Sequence, residues 1–251
     1  MPRISTPRLV RLLNESDPVM AQLAQAAGPC TSRPAHQAPP FESLARAIAH
    51  QQLNGKVAAK IVERFIQLHH PGLFPTPEQL QVSSDSALRA VGFSFAKIAA
   101  LRDLAAKTLD GTVPDSSTLQ QLTDAEIIER LTAVRGIGRW TVEMLLMFQL
   151  GRPDVLPVDD FGVRNGFRLA YGLRGMPTPK ALAAFGTRWA GARSLAAWYL
   201  WRAVDLHKDG RLPVPPKPAP RITQSRPAAR QAVVRAAKKR ISKAAAKRAG
   251  R

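Results

Sequence analysis

Residues 131–166 read LTAVRGIGRWTVEMLLMFQLGRPDVLPVDDFGVRNG. The segment predicts a helix, a tight hairpin, a second helix, a loop, and a carboxylate pair opening a further helix. Just upstream, Thr123-Asp124-Ala125-Glu126 forms a capping box, and apolar Ile127, Ile128, Leu131 and Val134 follow it at helical spacing. That helix must stop at Arg135-Gly136-Ile137-Gly138, because glycine reaches backbone angles that other residues avoid. Arg139 begins the second helix, with Trp140, Met144, Leu145 and Phe148 among its apolar positions. Glycines leave backbone amides bare, and the start of the second helix points more amides the same way. That arrangement suits a phosphate. From Gly-x-Gly alone, an ordinary connector between helices is an equally open reading.

Working outward, a chain of 251 residues allows one domain or two small ones, and 45% hydrophobic residues suffice for a real core. The net charge of +19 points to a polyanionic partner, nucleic acid before membrane. From Leu212 to Arg251 there are 12 Lys/Arg and no acid, which leaves 25 basic against 18 acidic residues in the rest, still +7. This Pro/Ala/Lys/Arg-rich tail has no apolar stripe, so it is expected to be disordered and to bind DNA through phosphates in a salt-dependent way. Cys30 is the single cysteine, which excludes an internal disulfide and a cysteine-held zinc or iron–sulfur site. The histidines His36, His50, His69, His70 and His207 are scattered, and His69-His70 is explained by a helix C-terminus. No apolar run approaches membrane-spanning length and no signal-peptide core is seen, so the expected location is cytoplasmic, at the nucleoid.

Along the chain, residues 1–40 predict one helix, about Asp17–Ala27, and then a Pro-rich link. FESLARAIAH and GKVAAKIVERFIQLHH read as two helices broken by Gln51-Gln52-Leu53-Asn54-Gly55. Pro77 starts a short helix. Residues 88–97 make a second hairpin-like turn, followed by a helix to Leu109 with Gly111 as its cap. Gly162–Tyr171 continues a helix begun by Asp159-Asp160, Thr178-Pro179 starts another, and Ser194–Leu206 is an apolar helix expected to pack on the aspartate's helix. About ten helices and no alternating strand make the expected fold class all-α, with residues 1–211 as the folded part and 212–251 as the tail.

Two motifs together carry a resemblance. Val134-Arg135-Gly136-Ile137-Gly138-Arg139-Trp140-Thr141 and, ending 22 residues beyond Gly138, Val158-Asp159-Asp160 resemble the helix-hairpin-helix DNA glycosylases, in particular the 3-methyladenine DNA glycosylase II branch. The likeness runs from roughly Pro7 to Asp209, in a compact form without the extra N-terminal domain of some members. It implies two helical subdomains with the active site in the cleft between them, acting as a monomer on double-stranded damaged DNA. Asp160 then matches the catalytic aspartate, with Asp159 a helix cap or a support. Trp140, Phe161 and Met144 match positions of the base pocket. Gly136, Ile137, Gly138, Arg139 and Thr141 form the DNA-binding hairpin, and Ser94 and Lys97 approach the DNA backbone. Gln52 and Leu53 are the two candidates for the wedge that fills the gap left by an extruded nucleotide. The competing reading there is a polar connector with Leu53 pinned to the core. The resemblance also places a monovalent cation, Na+ or K+, on the backbone carbonyls of Thr132, Val134 and Gly136. It requires no other cofactor.

The chemistry follows from the residue types. Breaking the bond between a base and C1′ makes the sugar cation-like, and a carboxylate about 4 Å away at an effective dielectric near 20 contributes roughly 4 kcal/mol. That is on the order of a thousandfold in rate, and the same carboxylate can activate the attacking water. Relatives that also cut the strand carry a lysine where Trp140 stands, so hydrolysis without lyase activity is expected. An indole face suits a purine made cationic by alkylation. Ala192 departs from the family, which often has a large aromatic there, and this predicts a wider pocket and a broader range of damaged bases. Two alternatives stay open: a non-catalytic DNA-binding protein that keeps the hairpin and tail, and a sibling glycosylase for other damaged bases.

Overall fold

The computed structural model describes residues 4–32, 38–69, 72–215 and 220–223. In chain order its helices are α1 (Pro7–Ser16), α2 (Pro18–Ala27), α3 (Pro40–His50), α4 (Gly55–Gln67), α5 (Pro77–Val82), α6 (Asp85–Val91), α7 (Phe95–Leu109), α8 (Ser116–Gln121), α9 (Asp124–Thr132), α10 (Arg139–Phe148), α11 (Phe161–Ala170), α12 (Pro179–Phe185) and α13 (Arg193–Lys208), with a 3-10 turn over Gly186–Trp189 before α13. The described residues are thus all-α. Thirteen α-helices replace the ten expected, chiefly because several six- or seven-residue helices are too short to show a periodicity of their own. The N-terminal expectation of one helix is also corrected. Pro7–Ser16 forms α1, which ends where Asp17 caps α2 and Pro18 takes its first position.

The chain divides into two compact units. One comprises residues 1–6 and 31–155, the other residues 7–30 and 156–251. In the first unit α3 packs on α4 and α7, α5 and α6 pack on α7, and α9 pairs with α10. Its core holds Leu44, Ile48, Phe65, Leu80, Phe93 and Leu104, with Phe65 meeting Phe74 and Phe93 edge-on. Most of its helices start on a side-chain oxygen cap: Asn54, Thr76, Ser84, Ser94, Asp115 and Thr123 each accept a first-turn amide.

The second unit is built around α13, with α11 and α2 against it. Gly166 is what lets α11 in: a Cβ there would sit 1.8 Å from the carbonyl oxygen of Leu200. Beside that contact Phe167 stacks on Tyr171, and Phe185 and Trp189 close on them. Asp17, only 1% exposed, sits in this unit. It accepts bonds from the Val19 amide at 3.0 Å, the Tyr171 hydroxyl at 2.6 Å and the Trp189 indole at 3.0 Å. A buried carboxylate is tolerable only with such a set of donors. Burial and the neighbouring Asp17 charge together push the Tyr171 phenol well above its ordinary value.

Candidate active site

The hairpin between α9 and α10 has the expected form. Thr123 and Glu126 exchange the two bonds of a capping box at the start of α9. Gly136 adopts φ +79°, and a Cβ there would meet that of Ala100 at 3.3 Å, so the turn needs glycine on both counts. Gly138 precedes α10 without a side-chain cap, and its carbonyl takes the Thr141 amide at 2.9 Å; the start of a helix suits an anion. Arg139 pairs its Nε with buried Glu143 at 2.9 Å while staying largely exposed.

Two side chains unforeseen in the sequence hold this hairpin. Asp103 Oδ2 accepts the Arg135 amide at 2.6 Å and the Lys107 ammonium at 2.8 Å, and Lys107 in turn donates to the carbonyl of Ala133. Partial burial pushes the Asp103 carboxyl up, but the Arg135 amide and Lys107 outweigh it and hold the group below its ordinary value.

The turn between α3 and α4 lies against the same hairpin: Gln51 Nε2 donates to the Gly136 carbonyl at 2.8 Å. Gln52 has φ +58°, the single positive φ outside glycine among the described residues, a conformation that surrounding structure must enforce. Leu53 is 40% exposed, so the alternative in which it is pinned to the core is set aside. Ser94 Oγ caps α7 by accepting the Lys97 amide, and the Lys97 ammonium donates to the Ala49 carbonyl at 2.6 Å, where α3 ends beside α7 and its last carbonyls need donors. The Ser94 hydroxyl and the other two N–H groups of Lys97 can still donate. Burial lowers the Lys97 pKa.

Trp140 is 49% exposed. With Met144, Phe148, Glu42, Arg46 and Gln52 it lines a cavity of about 950 Å³ in the first unit, ample for a purine. The carbonyls offered for a monovalent cation are partly engaged. Val134 O accepts the Ile137 amide and Gly136 O accepts Gln51, each keeping a second lone pair.

In the second unit, Asp160 is itself the N-cap of α11, one residue later than the expected pair of openers; Asp159 is exposed. The physical reason is spacing, since Asp160 Oδ1 reaches the Val163 amide at 2.7 Å, three residues on. The same oxygen accepts the Trp201 indole N–H from α13 at 2.8 Å. Phe161 is 55% exposed and so no core residue. Trp201 was missed in the sequence, where SLAAWYLWRAVDL reads simply as an apolar helix. The available signal was Gly162 and Gly166, one turn apart on the helix that Asp160 opens. A Cβ at Gly162 would stand 2.7 Å from Trp201 Cδ1.

Ala192 is fully enclosed where the chain enters α13, with its amide bonded to the Trp189 carbonyl at 2.8 Å.

Comparison with known proteins adds an independent line. Residues 45–190 match the family described as HhH-GPD superfamily base excision DNA repair protein. DNA-3-methyladenine glycosylase 1 of Schizosaccharomyces pombe is 44% identical over 178 residues, covering 71% of this chain and 78% of the relative. The alkylbase DNA glycosidase-like protein mag2 of the same organism is 31% identical over 205 residues, covering 81% and 96%. Among solved structures, the S. pombe 3-methyladenine DNA glycosylase in complex with abasic DNA superposes with a TM-score of 0.70 at 39% identity, covering 78% of this chain and 95% of the other. The DNA-3-methyladenine glycosidase of Bacillus halodurans gives 0.73 at 36% identity, covering 82% and 93%.

Proposed function

The chain belongs to the HhH-GPD superfamily of base excision DNA repair proteins, and on that premise we propose that it is a monofunctional DNA glycosylase that excises alkylated purines such as 3-methyladenine and 7-methylguanine. The observation that carries the reading is Asp160, a helix-capping carboxylate that also takes an indole N–H from α13. A cap alone needs only the first of these bonds. In the reaction the bond between the purine nitrogen and C1′ breaks, its electron pair leaves with the base, and water adds its oxygen to C1′ while losing a proton. Asp160 stabilises the positive charge on the sugar and orients the water. An alkylated purine leaves readily because it already carries positive charge, so one carboxylate suffices.

Trp140 supports the base preference, since a half-exposed indole at a cavity wall offers stacking and a cation–π contact to a cationic purine. A tryptophan there supplies no amine for Schiff-base chemistry, so no strand cleavage accompanies hydrolysis. The hairpin amides of Gly136–Arg139 hold a phosphate, the carbonyls of Thr132, Val134 and Gly136 would hold a monovalent cation that adds positive charge there, and Gln52 or Leu53 fills the vacated stack. One copy of the chain acts on duplex DNA in the cytoplasm, at the nucleoid. Among the described residues no helix is long and apolar enough to cross a membrane.

The test is release of bases from methylated duplex DNA by the wild type and by Asp160→Asn at equal DNA occupancy. Asparagine caps helices as well as aspartate, so the variant keeps its fold and loses only the charge. Release by the wild type with roughly a thousandfold loss in the variant is expected. A wild type that binds the DNA but frees no base, hypoxanthine included, would give the lead to the non-catalytic DNA-binding reading.

A further inference from the structure

We propose that Trp201 is a positioning residue for Asp160, an inference that rests on the glycosylase reading above. Two donors from two different elements meet at one carboxylate oxygen: the Val163 amide of α11 at 2.7 Å and the Trp201 indole of α13 at 2.8 Å. The cap bond ties the carboxylate to its own helix through one oxygen. The second bond, from the facing helix, fixes the plane of the carboxylate and so the direction of Oδ2. An indole N–H donates and never accepts, so it can orient the carboxylate but cannot take a proton from it.

The chain makes room for this contact in a way that capping does not require. Residue 162 is glycine, and a Cβ there would stand 2.7 Å from Trp201 Cδ1 and 2.9 Å from Nε1. One turn on, Gly166 allows the Leu200 backbone to come so close that any Cβ would overlap its carbonyl. The paired glycines therefore admit α13 to the residue that neighbours Trp201 and leave its indole a slot beside Asp160.

Trp201→Phe keeps most of the ring and removes the N–H. Single-turnover release of 3-methyladenine near neutral pH should fall about tenfold, the effect of losing one hydrogen bond to a charged group. The loss should fall on the rate at saturating enzyme, with affinity for abasic-site duplex unchanged. Gly162→Ala reaches the same state by pushing the indole away, and the double variant should be no slower than Gly162→Ala alone. In the wild type without DNA the Trp201 indole N–H resonance should lie downfield, as a hydrogen bond to a carboxylate requires, and should move upfield in Gly162→Ala, which reads the bond by NMR without turnover. An indole resonance that stays put in Gly162→Ala, or a Trp201→Phe enzyme with the wild-type rate, overturns the proposal. If the wild type frees no base while the indole resonance still moves, the hydrogen bond stands and the glycosylase reading is what fails.

Discussion

Removing the Asp103 carboxylate should loosen the hairpin without unfolding the unit that carries it. Asp103 Oδ2 receives the Arg135 amide at 2.6 Å and Lys107 at 2.8 Å, while Lys107 also reaches the Ala133 carbonyl. In Asp103→Ala the amide turns to water, so the loss is a net charged hydrogen bond, about 1.5–2 kcal/mol. The Lys107 pair, with roughly a third of its side-chain surface in solvent, adds at most a few tenths more. A total near 2 kcal/mol predicts about a thirtyfold weaker grip on a duplex with an abasic site. The cost in global stability should be smaller, because α7 and α9 keep their apolar contacts. Fluorescence anisotropy on a labelled duplex and urea unfolding read the two separately. The pH dependence follows from the direction of the shift. The Asp103 carboxyl is depressed in the folded chain, so its contribution is complete above the ordinary value near 3.9 and is lost as pH falls through the lowered one. The gap between wild type and variant should therefore stay constant from about pH 8 to pH 5 and close only under stronger acid. Equal affinity for the duplex at pH 7 would refute the clamp, and a gap that closes between pH 8 and pH 6 would refute its assignment to Asp103.

Other outcomes follow from the same geometry. Gly166→Ala forces a Cβ onto the Leu200 carbonyl, a backbone clash no rotamer relieves, so unfolding free energy should drop by about 3 kcal/mol or more; a change under about 1 kcal/mol in urea would show that α11 and α13 part easily. Trp140→Ala touches a half-exposed ring and should leave the melting temperature nearly unchanged while slowing 3-methyladenine release by roughly tenfold to a hundredfold, the worth of one base–aromatic stack. Deleting residues 224–251 removes ten Lys/Arg and no acid; the salt dependence of duplex binding should flatten, with single-turnover excision at saturating enzyme preserved.

What could be read along the chain was local, and what could not was the pairing of distant residues. The capping box at Thr123, the glycines at 136 and 138 and the cap at Asp160 act within three or four residues, so their spacing alone predicts the helix ends found. The capped start of α2 was equally local, yet α1 escaped notice because its ten residues end against that cap without a glycine. By contrast the bonds from Gln51 to Gly136, from Asp103 to Arg135 and from Trp201 to Asp160 span 85, 32 and 41 residues, and no periodicity encodes them. Apolar patterning by itself does not separate a buried ring from an exposed one. Trp140 and Phe161 sit at apolar positions that burial would normally claim, yet each keeps about half of its surface in solvent. Exposing large rings forgoes about 2 kcal/mol or more each, which a chain selected only to fold would recover by burying them or making them polar. Their exposure leaves both rings open to a ligand and separates them from the buried Phe65, Phe167 and Trp189, as it does Phe95, which is 68% exposed.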